Sequence, residues 1–347
     1  MATRGYTSYH GRVSTGKKVT IAVLVLILLA ACAYLFCQKY LVYDDSGHMS
    51  LSFVKKEAKP ADSEPAADNA DAGGEVELTR EEPAAPALSA ITANELKSSV
   101  LDGDWASVLN ALPQGNAVVL DTKLKDGSFL YLTTVPQATD AKKGSAGVTQ
   151  ALKNLLGADR YSVARIVCFA DSTYASSNAA SAGLCRSTGA IWYDGSSSCW
   201  LDPAKQGAQD YVTAICRECA QLGFKELLLD YCSYPTTGTT SQISYGTGVE
   251  PAAALTSFVK SLREELSSYD VKLSVVLRQN VTDTADASGL TVSFLTDSFD
   301  RIYVDTGTVD MTALTAALPS GFDRDTRLVP MVRTASAAST ASYMVIQ

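Results

Sequence analysis

The feature that most constrains this chain is a series of short, uninterrupted apolar runs separated by stretches with helical spacing. Residues 117–121 read Ala-Val-Val-Leu-Asp. Runs of the same kind follow at residues 161–169, 226–231, 272–277, 301–304, 327–332 and 342–346, with a weaker one at 190–193. Helical spacing marks residues 149–156, 204–222, 251–268 and 311–318 between them. It also marks residues 93–112, where Leu96, Val100, Trp105, Val108, Leu109 and Leu112 form the apolar stripe and Pro113-Gln114-Gly115 ends it. A run with no polar alternation is buried on both faces, which is the condition of a parallel strand covered by helices. Such an α/β chain, with about eight strands in about 250 residues, is expected to form a (β/α)8 TIM-like barrel. An open doubly wound sheet is the alternative. No G-x-G-x-x-G or P-loop sequence follows a run, which argues against nucleotide binding.

A different pattern precedes this region. Residues 19–37 (VTIAVLVLILLAACAYLFC) carry no charge. As a helix they span roughly 28 Å, close to the hydrocarbon thickness of a bilayer. Arg4, Arg12, Lys17 and Lys18 lie before them with no acid, and Asp44 and Asp45 lie after. The bias of basic residues predicts a single-pass signal anchor at the cell membrane, with residues 1–18 as a cytoplasmic tail and the remainder extracellular. Leu29-Ala30-Ala31-Cys32 also resembles a lipobox, so a lipoprotein acylated at Cys32 is the alternative. Continuation of the apolar run through Phe36 favours the anchor. Residues 38–87 are expected to be a disordered, acidic, Ala/Pro-rich linker, because residues 54–87 hold almost no large apolar side chain to offset chain entropy. The barrel then occupies residues 88–347.

Inventory removes several kinds of chemistry. The only histidines are His10 and His48, both outside residues 88–347. A Ser-His-Asp triad, a Cys-His pair and a His-bound metal are therefore excluded from the globular region. The net charge of −8 disfavours nucleic acid as a partner. Six cysteines lie in the globular region: Cys168, Cys185, Cys199, Cys216, Cys219 and Cys232. Cys185 and Cys199 bracket a Gly/Ser-rich loop that a disulfide would close. Cys216 and Cys219 have helical spacing, but no second pair completes a zinc site. No metal and no cofactor is expected.

In a barrel, chemistry gathers at the C-terminal ends of the strands. Reading those ends gives Asp121 with Lys123, Asp171, Asp230 with Tyr231, Arg278 and Asp305. One aspartate after a strand is often only a helix cap or a turn former. Asp230 is harder to explain that way, since it lies within Leu227-Leu228-Leu229-Asp230-Tyr231-Cys232 and a buried carboxylate needs a partner. Lys123, Lys125, Arg165 and Arg278 are the candidates.

Several ordered blocks resemble a bacterial family of glycoside-hydrolase type with a TIM-barrel-like domain, long carried as a domain of unknown function. They are Asn116-Ala117-Val118-Val119-Leu120-Asp121-Thr122-Lys123 with Asp126-Gly127, then residues 164–171, then Trp200-Leu201-Asp202-Pro203, then residues 223–235, which read GFKELLLDYCSYP. The last block is similar to the family's G-F-D-E-I-x-F-D-Y-x-R-F-P. This chain departs from it by carrying Ser233 where the family has Arg. The resemblance implies a barrel and hydrolysis of an O-glycosyl bond in an extracellular or cell-wall glycan.

Glycosidic cleavage uses two carboxylates flanking the scissile bond. Asp230 is expected as nucleophile or base, Asp305 as acid, and Asp121 as a third, electrostatic or substrate-binding carboxylate. If residues 190–193 form the third strand, Asp230 closes the fourth and Asp305 the sixth, which resembles some retaining barrel glycosidases. Lys123, Arg165, Asp171 and Arg278 are expected polar contacts to substrate. Trp192, Trp200, Tyr231 and Tyr234 are expected sugar platforms, although aromatics at such places also pack cores. Two other readings stay open: a carbohydrate-binding barrel that has lost turnover, and a cell-envelope assembly module that docks a protein.

Overall fold

The computed structural model describes residues 41–43, 49–51 and 88–347. The tail, the apolar run at 19–37 and most of the linker lie outside the described residues. Among those described, no helix is long and apolar enough to cross a membrane. Within the stretch expected to be linker, Leu41–Tyr43 pairs antiparallel with Met49–Leu51.

Residues 88–347 hold a closed barrel of eight parallel strands: β1 Thr92–Leu96, β2 Ala117–Lys123, β3 Ser162–Val167, β4 Glu226–Asp230, β5 Lys272–Leu277, β6 Ile302–Asp305, β7 Leu328–Val332 and β8 Tyr343–Val345. Tyr343 of β8 sits opposite Thr92 of β1 and closes the ring. Helices run between the strands: α1 Trp105–Ala111, α2 Ala146–Leu156, α3 Ser172–Ser177, α4 Gln206–Leu222, α5 Pro251–Leu266, α6 Val281–Ser288, α7 Val292–Ser298, α8 Met311–Ala317 and α9 Arg324–Arg327. The expected (β/α)8 architecture is thus present.

Alternation along the strands divides the core in two. One set, including Leu120, Ile166, Leu229, Val275 and Val304, packs with the helices. The other, including Ala93, Val119, Val163, Leu228, Val276, Tyr303, Met331 and Met344, forms a separate cluster that fills the barrel interior. Glu226, at the start of β4, is fully buried. It accepts hydrogen bonds from Arg301 Nη1 at 2.6 Å, Ser274 Oγ at 2.6 Å and Tyr161 Oη at 2.8 Å, so its charge is satisfied.

Two sequence expectations need correction. Residues 93–112 are not one helix: β1 comes first, then a 3-10 turn at Ser98–Asp102, and α1 starts after Asp104, whose side chain accepts from Ser107 N. Residues 190–193 are not a barrel strand. They form isolated antiparallel bridges, Cys185 with Ile191 and Tyr193 with Cys199, inside the long excursion between β3 and α4. The two errors offset each other in the count, so Asp230 still ends the fourth strand and Asp305 the sixth.

Lys123 and Asp171 require a third correction. The register between β2 and β3 shifts between Asp121 and Lys123. Lys123 Nζ then lies 2.8 Å from Asp171 Oδ2, and neither side chain has any exposed surface. Lys123 also donates to the Val167 carbonyl at 2.8 Å and sits over the Tyr211 ring. Asp171 caps α3 through Tyr174 N and accepts from Tyr211 Oη. Gly127, at φ +89°, fits against this pair, since a Cβ there would approach Asp171 Oδ1 to 2.6 Å. The D-x-K and Asp-Gly blocks therefore build a sealed ion pair that offers no atom to a substrate. Removing one partner of such a pair strands the other charge. Lys123→Met is expected to destabilise the domain by about 3–5 kcal/mol, and Lys123→Met combined with Asp171→Leu by much less. Urea titration of both variants checks this; equal losses would contradict it.

Candidate functional site

The C-terminal ends of the strands carry two guanidinium groups, each holding carboxylates from neighbouring strands. Arg278 follows β5. Its Nε and Nη2 donate to the two oxygens of Asp230 at 2.7 and 2.6 Å, and its Nη1 donates to Asp305 Oδ2 at 2.9 Å. Planar guanidinium suits this forked binding of one carboxylate with a donor left for a second. Burial opposes the charge on Arg278, but the hydrogen bond and charge of Asp230, with Tyr231 and Asp305, outweigh it and raise its pKa. Asp230 is only 3% exposed and Asp305 is 21% exposed, so Asp305 is the more open of the two. Asp305 Oδ1 also accepts from Gly307 N at 3.0 Å.

Arg165 forms the second cluster. It donates from Nε and Nη2 to both oxygens of Asp121, and from Nη2 to Glu95 Oε1 at 2.5 Å. Burial is again the opposing influence, outweighed by Asp121 first and by the charges of Asp230 and Glu95. Asp121 and Asp230 both lie toward the C-terminal ends of their strands, which puts the two clusters at the same end of the barrel.

A cavity of about 600 Å³ opens at Arg278 and Asp305. Its wall includes Lys125, Asp194, Trp200 and Tyr231. Lys125 Nζ lies 3.0 Å from Asp194 Oδ2, 5.3 Å from the Tyr231 ring centre and 5.9 Å from that of Trp200. Tyr231 and Trp200 meet edge to face with centroids 5.7 Å apart. Tyr231 has φ +50°, an uncommon conformation for a residue with a side chain. Hydrogen bonds from Cys168 N to the Asp230 carbonyl and from Phe169 N to the Tyr231 carbonyl hold the segment in place. The ring of Tyr231 thereby faces both Arg278 and Lys125.

Of the residues expected from sequence, Asp230, Asp305, Arg278, Trp200 and Tyr231 come together. Asp121 and Arg165 are at the same end, but Asp121 lines an adjoining cavity rather than this one. Trp192 and Tyr234 are fully buried. Trp192 Nε1 donates to the Thr239 carbonyl and Tyr234 Oη donates to Asp202, so both are packing residues and not sugar platforms. Ser233 lines the cavity, and the guanidinium beside Asp230 is that of Arg278 from the next strand.

Glu95 and Asp194 were not expected. Glu95 was hidden by the helical reading of its segment. Asp194 carried a faint signal, the turn sequence Asp194-Gly195-Ser196-Ser197-Ser198. The six cysteines are free, and Cys185 and Cys199 are not joined. Burial pushes the Cys219 thiol up to about 12. Among the described residues, no group of three or more His, Cys, Asp or Glu is placed to hold a metal ion.

A closed parallel barrel with its polar clusters at the C-terminal ends of the strands defines the chain as a (β/α)8 barrel of the kind that hosts many chemistries. The family model described as "Putative glycosyl hydrolase domain" matches residues 107–302, and the chain belongs to that family. The match contains Asp121, Asp230 and Arg278 and stops three residues before Asp305. Among solved structures, the chain is similar to the PgaB (BpsB) glycoside hydrolase domain of Bordetella bronchiseptica, with 15% identity and a TM-score of 0.51 over 75% of this chain and 94% of that one. This likeness bears on the fold alone. A hypothetical protein from Ruminiclostridium thermocellum shares 26% identity, with a TM-score of 0.45 over 52% of this chain and 95% of that one. The glycoside hydrolase domain of PelA from Pseudomonas aeruginosa shares 14% identity, with a TM-score of 0.36 over 63% of this chain and 68% of that one. No curated protein matches the chain.

The cavity wall has its own pH signature. Burial raises the pKa of Asp194, but hydrogen bonds from Ser196, Trp200, Ser198 and Lys125 prevail and hold it well below the usual 3.8. A carboxyl depressed on folding stabilises the fold above its unfolded pKa, and that contribution fades as pH falls through the folded value. Asp194→Asn is expected to lower the urea midpoint at pH 7, with the deficit shrinking below about pH 4. A deficit that stays constant across that range would contradict the account.

Proposed function

We propose that this protein is a membrane-anchored, outward-facing glycoside hydrolase acting on an extracellular or cell-wall glycan by two-carboxylate chemistry. The observation that carries the reading is the convergence of Asp230 and Asp305, from the ends of β4 and β6, on one guanidinium beside an aromatic-walled cavity of about 600 Å³. Family membership supports it, and the uncharged run at residues 19–37 supports the anchor.

In this mechanism Asp305, the more exposed carboxyl, protonates the leaving glycosidic oxygen. Asp230 attacks the anomeric carbon or activates water. Arg278 holds Asp230 in place with one donor to each of its oxygens. Each oxygen keeps lone-pair capacity beyond the bond from Arg278, as Oδ1 shows by also accepting from Tyr231 N at 2.9 Å, so the guanidinium orients the carboxyl for its part. Trp200 and Tyr231, set edge to face, form the aromatic wall beside which the sugar would lie. Asp121 and Arg165 contribute charge at the far edge of the mouth.

A second reading is favoured by one observation: Asp230 is nearly sealed beneath Arg278. On that reading the barrel binds a glycan and does not cut it. The test is release of reducing ends from cell-wall polysaccharide by the purified full chain. Asp230→Asn and Asp305→Asn should each lower the rate by about 10²–10⁴ while leaving glycan binding and the circular dichroism spectrum in place. Binding by wild type without any release of reducing ends, unchanged in Asp230→Asn, would instead establish the binding barrel.

A further inference from the structure

A second cavity, of about 650 Å³, lies beside the first at the ends of β1 and β2. Consecutive residues of the loop after β2 divide the two: Leu124 lines the second cavity and Lys125 the first. Their charges are arranged differently. In the first, both cations are engaged by carboxylates, Lys125 by Asp194 and Arg278 by Asp230 and Asp305, while Asp283 stands in addition on the wall. In the second, the carboxylates of Glu95 and Asp121 are both bound to Arg165. Lys97, Lys142 and Lys143 line the same cavity, and none of the three has a salt-bridge partner among the described residues. Asp102 is the remaining acid on that wall, and Asp126 is near enough to Lys142 to feel its charge. The first turn of α2 also faces the cavity through Ser145 and Val148, adding the positive end of a helix of 11 residues. Gly144 allows this approach, since a Cβ there would fall 1.9 Å from the Leu130 carbonyl oxygen.

We infer that this second cavity binds an acidic substituent of the glycan, a carboxylate or phosphate carried one or more sugars away from the bond at Asp230 and Asp305. The inference rests on the glycan reading of the first cavity and adds the substrate class: an acidic glycan chain lying across the mouth, with its anionic group on the lysine side. Lysines act here as point charges for an anion. The acidic first cavity repels that group, which fixes the direction in which the chain lies.

The test uses the full chain and three probes in titration calorimetry: a galacturonate hexasaccharide, the neutral chitohexaose and inorganic phosphate. Wild type is expected to bind the acidic hexasaccharide more tightly than the neutral one, with the advantage shrinking as salt rises. Lys97→Glu with Lys142→Glu, both exposed positions, is expected to weaken the acidic hexasaccharide by about tenfold or more and chitohexaose by less than about twofold. The inference is overturned if wild type fails to bind the acidic hexasaccharide, if it binds both hexasaccharides equally, or if the double variant behaves as wild type. Phosphate binding that depends on the lysines, with no binding of the acidic hexasaccharide, also overturns it, because the cavity would then take a free anion. The two proposals fail separately. Lysine-dependent binding with no cleavage leaves the inference standing and removes the hydrolase reading, whereas cleavage of neutral glycan indifferent to the lysines does the reverse.

Discussion

Charge pairing at the open end of a closed barrel is the constraint from which the rest of this structure follows. The barrel interior is apolar through its middle, and a carboxylate placed at its rim is partly desolvated. Asp121, Asp230, Asp305 and Glu95 occupy that rim from four different strands. Without cations among them, their mutual repulsion would have to be relieved by protonation or by opening of the mouth. Arg165 and Arg278 resolve the problem by each serving two carboxylates. At the opposite end a third arginine, Arg301, pairs with a single buried carboxylate, Glu226. Arginine suits the task because its donors diverge in one plane and its charge survives burial.

This solution shapes what the mouth can do. A carboxylate held on both oxygens by one guanidinium is fixed in orientation while keeping further lone-pair capacity, so Arg278 sets where Asp230 points. Asp305 shares a single donor with Arg278 and keeps more exposure. On the hydrolase proposal this asymmetry gives the two carboxyls different parts: the more exposed one meets the leaving oxygen, and the one held by Arg278 is the nucleophile or base. Tyr231, in its left-handed backbone conformation, holds a ring beside the guanidinium.

Much of this was legible in the sequence where burial is symmetrical and obscure where it is not. Strands β2 to β7 announced themselves because both of their faces are covered, leaving apolar runs with almost no interruption. Strand β1 did not, because Thr92–Leu96 includes Asn94 and Glu95, and Glu95 meets an arginine on β3, 70 residues later. The strand-end rule located Asp121, Asp230, Asp305 and Arg278, whereas Arg165, expected as a possible partner of Asp230, pairs with Asp121 and Glu95. It also selected Lys123 and Asp171, which a single shift of register turned into a sealed pair. Nothing in the local sequence distinguishes Lys123, buried, from Lys125, which reaches the cavity two residues later. Trp192 and Tyr234 failed for a related reason: whether an aromatic near a strand end is a platform or a packing residue depends on loops that arrive from elsewhere.

The excursion between β3 and α4 shows why those loops were the hardest part to read. It contributes Asp194 and Trp200 to the cavity wall, but it is built from isolated bridges and from an aspartate that gathers the N–H groups of Ser196 and Ser198. Such a segment has no period for a sequence to display. Its order comes from one residue satisfying many donors, and the same residue then steadies Lys125 and Trp200. The barrel fixes where the carboxylates stand, because strand ends are a property of the sheet. The excursion supplies Asp194 and Trp200 to one face of the mouth, and the loops after β1 and β2 supply Lys97, Lys142 and Lys143 to the other. Selectivity among glycans should therefore vary with these loops while the carboxylate frame beneath them stays in place.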